Sequence, residues 1–494
     1  MHWRNLLRNI LGSWLGIGAD AITGFLLTRI VLHSVGDASF GLWILVSGLL
    51  GYYGLLDLGT RNAVIRFVAR HNADGDSDSL SRVVSTAVAA YAVIGLAVLL
   101  VASVLAWRLQ DIFAFQSARD LADGKLLVLI LGAGAAIGFP LSAFGGALEG
   151  LQQFVRIGVV QAAATVSRGI AVVVCLRLGY GIVAVGILTV LFNIAAGTVN
   201  AAFVVTRFKQ VTLALVHVRR DTLLTLGGFG MVTFWVSIAN RLRFESDALV
   251  IGNLIGLQMV AVFAIGAKVL SYSTEVVSAM AGVFTPILSH ADAVGDKALL
   301  TRMTFTGNYL ASLLAFPIIV VLLFYGKLII GLWVGPQYAL SYIVLAIIAV
   351  PMAVYVSQSG TTRMLYGRGL HKSLAKLLFL EGVANLALSV LLGRRYGIVG
   401  VAWGTAIPLL VSSLVALPWL ACRALGSTTA HYWRSAQVPA FVAVVPLIAV
   451  FGIIAAVRPT PGVLEAAAEL AAGGCVYVAM TVNKFKTSRV SLAQ

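Results

Sequence analysis

Long apolar runs, separated by short polar segments, recur along nearly the whole chain. The runs are rich in Leu, Val, Ala and Gly and about 20–25 residues long, which is the length of a helix that crosses a bilayer. The strands of a membrane barrel would instead show about ten alternating residues each. The pattern therefore predicts about fourteen transmembrane helices, at residues 9–32, 38–61, 80–107, 124–148, 155–177, 181–205, 225–252, 258–287, 303–325, 339–361, 373–393, 397–420, 436–457 and 463–483.

The composition agrees with a chain that lies mostly in a membrane. Of its 494 residues, 60% are hydrophobic and only 11% are charged, whereas a soluble domain carries about 25% charged residues. The first apolar run begins near Ile10 and is too long for a cleaved signal peptide, so it is predicted to be the first span. We therefore expect an all-α polytopic membrane protein.

The basic residues between the spans predict the topology. Most of them fall in alternate segments, such as those that hold Arg66, Arg207 and Arg368. Because cytoplasmic segments are enriched in Lys and Arg, both termini are predicted to be cytoplasmic. The net charge of +16 is then spread over these segments and forms no single basic patch, so no nucleic-acid partner is expected.

A charged cluster interrupts the apolar pattern at residues 240–247. Arg241 and Glu245, and likewise Arg243 and Asp247, are four residues apart, so on a helix each arginine reaches its acid one turn on. The alternative is a short loop between two spans. A loop would add a span and move the later basic segments to the outside, so we predict that the cluster lies within a helix.

Internal repetition predicts two similar halves. Residues 178–185 (LGYGIVAV) resemble residues 394–401 (RRYGIVGV), and residues 69–76 line up with residues 289–296. Transporters with such repeats bind their substrate between the halves, near the middle of the membrane. The predicted parts are a six-helix lobe at 1–210, a second six-helix lobe related to it by a pseudo-twofold axis at 221–424, and two further helices with a cytoplasmic tail at 430–494.

Basic side chains within the spans are the candidate substrate-binding residues. Arg168, Arg241, Arg243 and Lys268 would form a basic chamber, with Tyr272 one turn after Lys268 on the same helix face. Charges inside a membrane are costly and usually face a water-filled cavity or a partner. Arginine forks and lysine ammonium groups suit phosphate oxygens. The sequence therefore predicts a cavity for an anionic head group such as a diphosphate.

Two alternatives stay open for these charges. Each could be paired and hold helices together, Arg241 with Glu245, Arg243 with Asp247, and Lys268 with Glu275. Arg168 has no acid within four residues on its own helix and is therefore the strongest candidate for a substrate contact.

Two intramembrane acids are candidates for ion or proton coupling. Asp20 could bind a proton or cation, or it could be the partner of Arg168. Asp57 could act in coupling, or it could form a pair with Arg61 at a helix end.

The sequence contains no signature of an enzyme or of a metal site. It has no Gly-rich run that ends in Gly-Lys-Ser/Thr and no His-Glu-x-x-His motif. Cys175, Cys422 and Cys475 lie far apart and form no Cys-x-x-Cys pair. We expect no catalytic residue, no metal and no cofactor.

Three loose motifs carry a resemblance to a known family. Residues 35–43 (VGDASFGLW), 54–63 (GLLDLGTRNA) and 396–402 (YGIVGVA) resemble bacterial polysaccharide biosynthesis flippases. These are the Wzx-type O-antigen and exopolysaccharide exporters of the multidrug/oligosaccharidyl-lipid/polysaccharide (MOP) superfamily. The resemblance covers about residues 5–425. The two C-terminal helices beyond it are similar to those of lipid II flippases.

The resemblance implies a fold and a function. The fold would be two six-helix lobes around a V-shaped cavity in the bacterial inner membrane. The protein would move an undecaprenyl-diphosphate-linked oligosaccharide across that membrane by alternating access, for polysaccharide or lipopolysaccharide biosynthesis. Its partners would be the lipid-linked oligosaccharide, the membrane lipids, and a polysaccharide polymerase or export machinery.

Two other functions are alternatives to a flippase. A multidrug or organic-cation antiporter of the same superfamily should have a net acidic chamber, which the basic candidates here do not favour. A membrane glycan ligase would need a large outer loop with catalytic groups, and the short predicted outer loops offer little room for one.

Overall fold

The computed structural model describes residues 3–57, 59–113, 115, 117–458 and 461–492, with the backbone alone at 3–15, 17, 50, 53, 56, 228–233, 235–236, 371 and 482–492. The described residues are almost entirely helical, and no β-strand occurs among them. Ten helices in this part of the chain are long and apolar enough to span a membrane. The predicted all-helical, polytopic membrane fold is therefore confirmed.

The first compact unit covers residues 1–261. Within it α4 packs along α5, α1 along α6, and α5 along α7. Its helices are α1 (Trp3–Val35), α2 (Asp37–Tyr53), α3 (Thr60–Asp74), α4 (Ser77–Ile112), α5 (Ala118–Gly150), α6 (Phe154–Arg177), α7 (Ile182–Arg207), α8 (Arg220–Phe244) and α9 (Ser246–Leu254).

The second compact unit covers residues 262–494. Helices α12, α13 and α15 pack against one another in it, and α18 packs on α12. Its helices are α10 (Leu257–Gly282, whose first five residues belong to the first unit), α11 (Phe284–Ala293), α12 (Lys297–Trp333), α13 (Ala339–Val356), α14 (Ser359–Gly367), α15 (His371–Val411), α16 (Leu417–Leu425), α17 (Thr429–Tyr432), α18 (Val438–Val457) and α19 (Val463–Leu492). The predicted division into lobes rests on sequence repetition and stays a prediction.

The structure divides two of the predicted spans. The span predicted at 38–61 ends at Tyr53, where a short 3₁₀ helix, Gly54–Asp57, leads into α3. Helix α3 is polar on average and carries Arg, Asn, His and Asp side chains, which explains why an apolar pattern did not reveal it. The span predicted at 225–252 is interrupted at Glu245, which lies between α8 and α9. The charged cluster is therefore helical, as predicted, but it is not one unbroken helix.

A glycine separates the two spans predicted at 373–393 and 397–420. Gly397 has a φ of 60° inside α15, where the helix kinks sharply. This left-handed conformation is accessible to glycine and costly for residues with a Cβ atom. The kink allows the two spans to follow each other without a loop.

The segment that connects α7 to α8 is held against α4 by a row of hydroxyl groups. Ser81 donates to the carbonyl of Gln210 at 3.0 Å and accepts from the backbone N–H of Thr212 at 3.0 Å. Five residues later the hydroxyl of Thr86 accepts from the backbone N–H of Arg219 at 3.2 Å. These bonds satisfy backbone groups that no regular element pairs, so the connection is an ordered part of the first unit.

A buried polar network joins three helices of the second unit. The amide of Asn308 on α12 donates to Thr361 on α14 at 2.8 Å and to the hydroxyl of Tyr432 on α17 at 3.2 Å. The Tyr432 hydroxyl in turn donates to Gln358 at 2.8 Å, whose amide donates to the carbonyl of Ser413 at 2.7 Å. Polar groups inside a membrane protein need such partners because lipid supplies none.

The C-terminal helices are attached through α12. The buried hydroxyl of Tyr325 donates to Glu469 on α19 at 2.7 Å. Its ring also packs edge-on against Phe451 on α18, with 5.2 Å between the ring centroids. One side chain therefore contacts both helices.

Replacing Tyr325 by phenylalanine is expected to lower the stability of the folded protein by about 1–2 kcal/mol, because the ring contact survives while Glu469 loses its donor. The apparent melting temperature of the purified protein in detergent would report the change. Tyr396→Phe is the control, since the Tyr396 side chain is exposed. Equal melting temperatures for the two variants would contradict this role of the hydroxyl.

Candidate intramembrane site

Asp20 and Arg168 lie together between α1 and α6. The carboxylate Oδ1 of Asp20 is 3.9 Å from Nη2 of Arg168 and accepts a hydrogen bond from Thr165 at 2.5 Å. Gln161 donates to Oδ2 at 3.5 Å. Residues 161, 165 and 168 follow one helix face. Of the alternatives left open for Asp20, the structure shows the one in which it is the partner of Arg168.

The Asp20–Arg168 pair is loose and open on one side. The side chain of Arg168 is 24% exposed and that of Asp20 is 46% exposed. A separation of 3.9 Å is longer than a charge-assisted hydrogen bond, which measures about 2.7–2.9 Å. The guanidinium therefore keeps donor groups that a ligand oxygen could use. The role of Arg168 in binding a substrate stays a prediction.

Arg241 forms an ion pair with Glu245 and packs against α2. The two side chains are hydrogen-bonded one turn apart, which is the paired alternative that their spacing allowed. A Cβ atom at Gly51 would overlap both side chains, so the glycine leaves the space in which the pair lies. The hydroxyl of Tyr52 reaches the backbone carbonyl of Arg241 at 3.4 Å. This pair therefore attaches α8 to α2.

Arg243 and Asp247 are both buried. Arg243 is 1% exposed and Asp247 is 3% exposed. The guanidinium of Arg243 also lies over the ring of Phe244, 4.7 Å from its centroid. In this structure Arg243 offers little surface to a ligand, and its predicted contact with a substrate stays a prediction.

Lys268 and Tyr272 lie on α10 in the second unit. Lys268 is exposed and Tyr272 is partly buried. The lysine Nζ is 5.2 Å from the centroid of the tyrosine ring, in the range of a cation–π contact. The described residues contain no ion pair between Lys268 and Glu275, the alternative that their shared helix face allowed. The lysine charge is therefore available on this helix surface.

The candidate residues belong to two different units. Arg168, Arg241 and Arg243 lie in the first, at 1–261, whereas Lys268 and Tyr272 lie in the second, at 262–494. The basic chamber that would combine them stays a prediction.

A second polar site, which the sequence did not predict as a whole, surrounds Asp57. Oδ1 of Asp57 accepts a hydrogen bond from the hydroxyl of Tyr91 and another from the backbone N–H of Arg61 at 3.3 Å. The contact between Asp57 and Arg61 is therefore made by the Arg61 backbone and is not the charged side-chain pair that the sequence left open. The guanidinium of Arg61 pairs instead with Glu149 on α5, at 2.6 Å.

A cavity of about 440 Å³ lies beside this carboxylate within the first unit. Its wall combines a few polar side chains with apolar and glycine positions: Gly54, Asp57, Arg61, Tyr91, Leu131, Gly134, Ala135, Gly138, Phe139, Ser142, Thr189, Val190, Asn193 and Ile194. Tyr91 and Asn193 are isolated polar positions in apolar spans, and this is the signal that could have identified them. Among the described residues no group of three or more His, Cys, Asp or Glu side chains could hold a metal ion.

Comparisons with known proteins agree with the fold and the sequence motifs. The family model described as "Polysaccharide biosynthesis protein" matches residues 3–292. A Shigella flexneri protein described as "Putative O-antigen transporter" is 22% identical over 438 residues, which cover 85% of this chain and 98% of that protein.

Solved transporters share the fold. A structure of the lipid II flippase MurJ in an inward closed conformation superposes with a TM-score of 0.77 at 14% identity, covering 97% of this chain and 99% of that one. An inward-facing multidrug resistance MATE family transporter of the MOP superfamily superposes with a TM-score of 0.68 at 17% identity, covering 84% and 95%. Since the family model matches more than half of the chain, this chain belongs to the polysaccharide biosynthesis protein family, and it shares its fold with a MATE transporter of the MOP superfamily and with MurJ.

Proposed function

We propose that this protein is a flippase that moves an undecaprenyl-diphosphate-linked oligosaccharide across the bacterial inner membrane by alternating access. Membership of the polysaccharide biosynthesis family supports this, as does the similarity to an O-antigen transporter along 85% of the chain. The fold, shared with a lipid II flippase, is compatible with it. The flipped unit would then pass to a polysaccharide polymerase or export machinery, and both termini of the flippase would be cytoplasmic.

The observation that carries the proposal is the half-engaged guanidinium of Arg168. It lies near the middle of α6, a helix that can span the membrane, and the acid beside it is 3.9 Å away. A charge within a membrane span is costly unless it has a partner or faces a water-filled cavity. The single loose partner Asp20 uses only some of the N–H donors of Arg168. Diphosphate oxygens would complete the set of hydrogen bonds in a bidentate geometry that lysine cannot offer.

Asp20 would couple transport to a proton or cation. Asp20 and a diphosphate both carry negative charge and compete for Arg168. Binding of a phosphate therefore weakens the ion pair between Arg168 and Asp20. A proton or cation on Asp20 would in turn release Arg168 for the phosphate. Occupation of the two sites is thereby linked, and linkage of this kind is reciprocal.

The decisive experiment follows the lipid-linked glycan in a strain that lacks the gene. We expect the lipid-linked oligosaccharide to accumulate on the inner leaflet of the inner membrane, and a plasmid-borne copy to restore export. Leaflet position is measured by the accessibility of the glycan to an added lectin in spheroplasts and in inverted vesicles.

The same assay separates the other functions. Accumulation on the outer leaflet would indicate a glycan ligase and would contradict flipping. Unchanged amounts in both leaflets, with altered resistance to cationic drugs, would indicate an antiporter.

A further inference from the structure

The cavity beside Asp57 has the size and composition of a small-molecule site. Its volume of about 440 Å³ falls in the range of about 300–1,000 Å³ that is usual for ligand pockets, which are mainly apolar with a few placed polar groups. It lies wholly among helices of the first unit. Neither the diphosphate contact at Arg168 nor the ion pair at Arg241 lies in its wall.

One oxygen of the Asp57 carboxylate accepts no hydrogen bond from the described residues. Both of its hydrogen bonds among the described residues, from the Tyr91 hydroxyl and from the Arg61 backbone, end on Oδ1. Oδ2 accepts no hydrogen bond there, although an ionised carboxylate has about four acceptor positions. The charge of Arg61 is directed to Glu149, which is not in the cavity wall. The cavity therefore presents an oriented acceptor, and the nearby Arg61 side chain forms its ion pair with Glu149 and not with this carboxylate.

The cavity wall also holds a complementary polar group, Asn193. Asn193 on α7 is exposed, and its amide forms no hydrogen bond with a described residue. It offers two N–H donors and a carbonyl acceptor. In the same wall the partly exposed ring of Phe139 is stacked on the buried ring of Tyr91, with their centroids 5.9 Å apart, and a Cβ atom at Gly138 would meet no atom within 4 Å.

This combination suits a sugar ring. Each hydroxyl of a sugar is both a donor and an acceptor, so it can donate to the carboxylate of Asp57 and can either accept from or donate to the amide of Asn193. The C–H face of the ring packs on aromatic carbon, as apolar surface does. We propose that this cavity binds the first sugar of the lipid-linked oligosaccharide, with Asp57 and Asn193 as the hydrogen-bonding residues. The inference rests on the proposed function and assigns the part of the substrate that the site recognises.

A cation site is a weaker interpretation of the same residues. Among the described residues of the cavity wall Asp57 is the one carboxylate, and its Oδ1 already faces two donor hydrogens. Bound cations such as Ca²⁺ collect six to eight oxygen ligands at close range, and a cavity of about 440 Å³ is much larger than that arrangement needs. A bound sugar therefore explains the volume of the cavity, the amide of Asn193 and the aromatic ring in the wall, which a cation does not.

The test measures what a sugar adds to the binding of a short carrier. The full-length protein in lipid nanodiscs is titrated with farnesyl diphosphate and with farnesyl diphosphate that carries glucose, galactose or N-acetylglucosamine. We expect at least one sugar-bearing probe to bind about tenfold more tightly than farnesyl diphosphate, since one hydrogen bond to a charged group is worth about 1.5–3 kcal/mol. Equal affinities for all four probes would overturn the proposal.

Three variants test which residues produce the increase in affinity that the sugar causes. Asp57→Asn and Asn193→Ala should remove the tenfold sugar increment and leave the affinity for farnesyl diphosphate unchanged. Gly138→Leu should do the same by filling the cavity, because a Cβ atom at Gly138 meets no atom within 4 Å. Gly452→Leu is the matched control, a helical glycine in α18 with equally open surroundings. If Asp57→Asn fails to fold, the other two variants decide.

The outcomes separate this inference from the function on which it rests. A protein that binds none of the probes contradicts the proposed function and the sugar site together. A protein that binds farnesyl diphosphate, but whose sugar increment survives all three variants, refutes the sugar site alone. If Asp57→Asn keeps the increment and transport loses its dependence on pH or Na⁺, the cavity is a cation site and the sugar assignment is wrong.

Discussion

Replacing Arg168 by alanine is expected to abolish polysaccharide export while the protein still inserts in the membrane. The guanidinium is the basic group that the structure leaves half-engaged at mid-helix, 3.9 Å from Asp20. Losing its hydrogen bonds to a diphosphate should weaken binding about 10- to 100-fold, because hydrogen bonds to charged groups contribute about 1.5–3 kcal/mol each. Insertion should persist, since Asp20 keeps its hydrogen bonds from Thr165 and Gln161. Export is measured as surface polysaccharide in the complemented strain.

Two further variants make the Arg168 prediction specific. Arg168→Lys should restore part of the export, since an ammonium group supplies charge without the bidentate fork. Arg177→Ala is the matched control, because Arg177 lies in the last turn of the same helix and is exposed. Normal export from Arg168→Ala, at wild-type protein levels, would refute the predicted substrate contact.

Replacing Gly41 by alanine is expected to prevent the first unit from packing correctly. A Cβ atom at this position would overlap the backbone carbonyl of Leu257, and a backbone atom cannot move aside as the end of a side chain can. Overpacking a tight contact costs about 1–3 kcal/mol and sometimes more. We expect most of the variant to be lost from the monodisperse peak in size-exclusion chromatography of the detergent extract.

The control for Gly41 lies on the same helix. A Cβ atom at Gly48 meets no atom within 4 Å, so Gly48→Ala should leave the yield and the elution profile unchanged. A monodisperse Gly41→Ala protein with an unchanged melting temperature would show that α2 does not approach Leu257 so closely in the membrane. Gly41 belongs to the motif at 35–43 that carries the family resemblance. The close contact with Leu257 explains why this position of the motif is a glycine.

The helical, membrane-spanning character of the chain follows from the sequence alone. A bilayer imposes a length and an apolar composition on every span, so the runs that end near Ile112, Arg177 and Arg207 could be located without a structure. The i, i+4 spacing of Arg241 and Glu245 likewise allowed an ion pair, one of the two alternatives for these charges, and the structure contains it. Local patterns fix these features because helix geometry is regular.

Breaks within the spans could be located only in part. The glycine that allows a left-handed kink at 397 is visible in the sequence, but its φ of 60° is not. The interruption at Glu245 and the change of direction after Tyr53 involve residues that are common inside helices. At such positions tertiary packing, and not intrinsic preference, decides where a helix ends.

The sequence by itself determined that this is a polytopic helical membrane protein, which polar residues lie within its spans, and which family its motifs resemble. The tertiary structure alone decided the partners: Asp20 with Arg168, 148 positions away, Tyr91 with Asp57, and Arg61 with Glu149. It also showed the cavity beside Asp57. Helical periodicity fixes which side chains share a face of one helix, but which faces meet depends on how helices distant in the chain pack together.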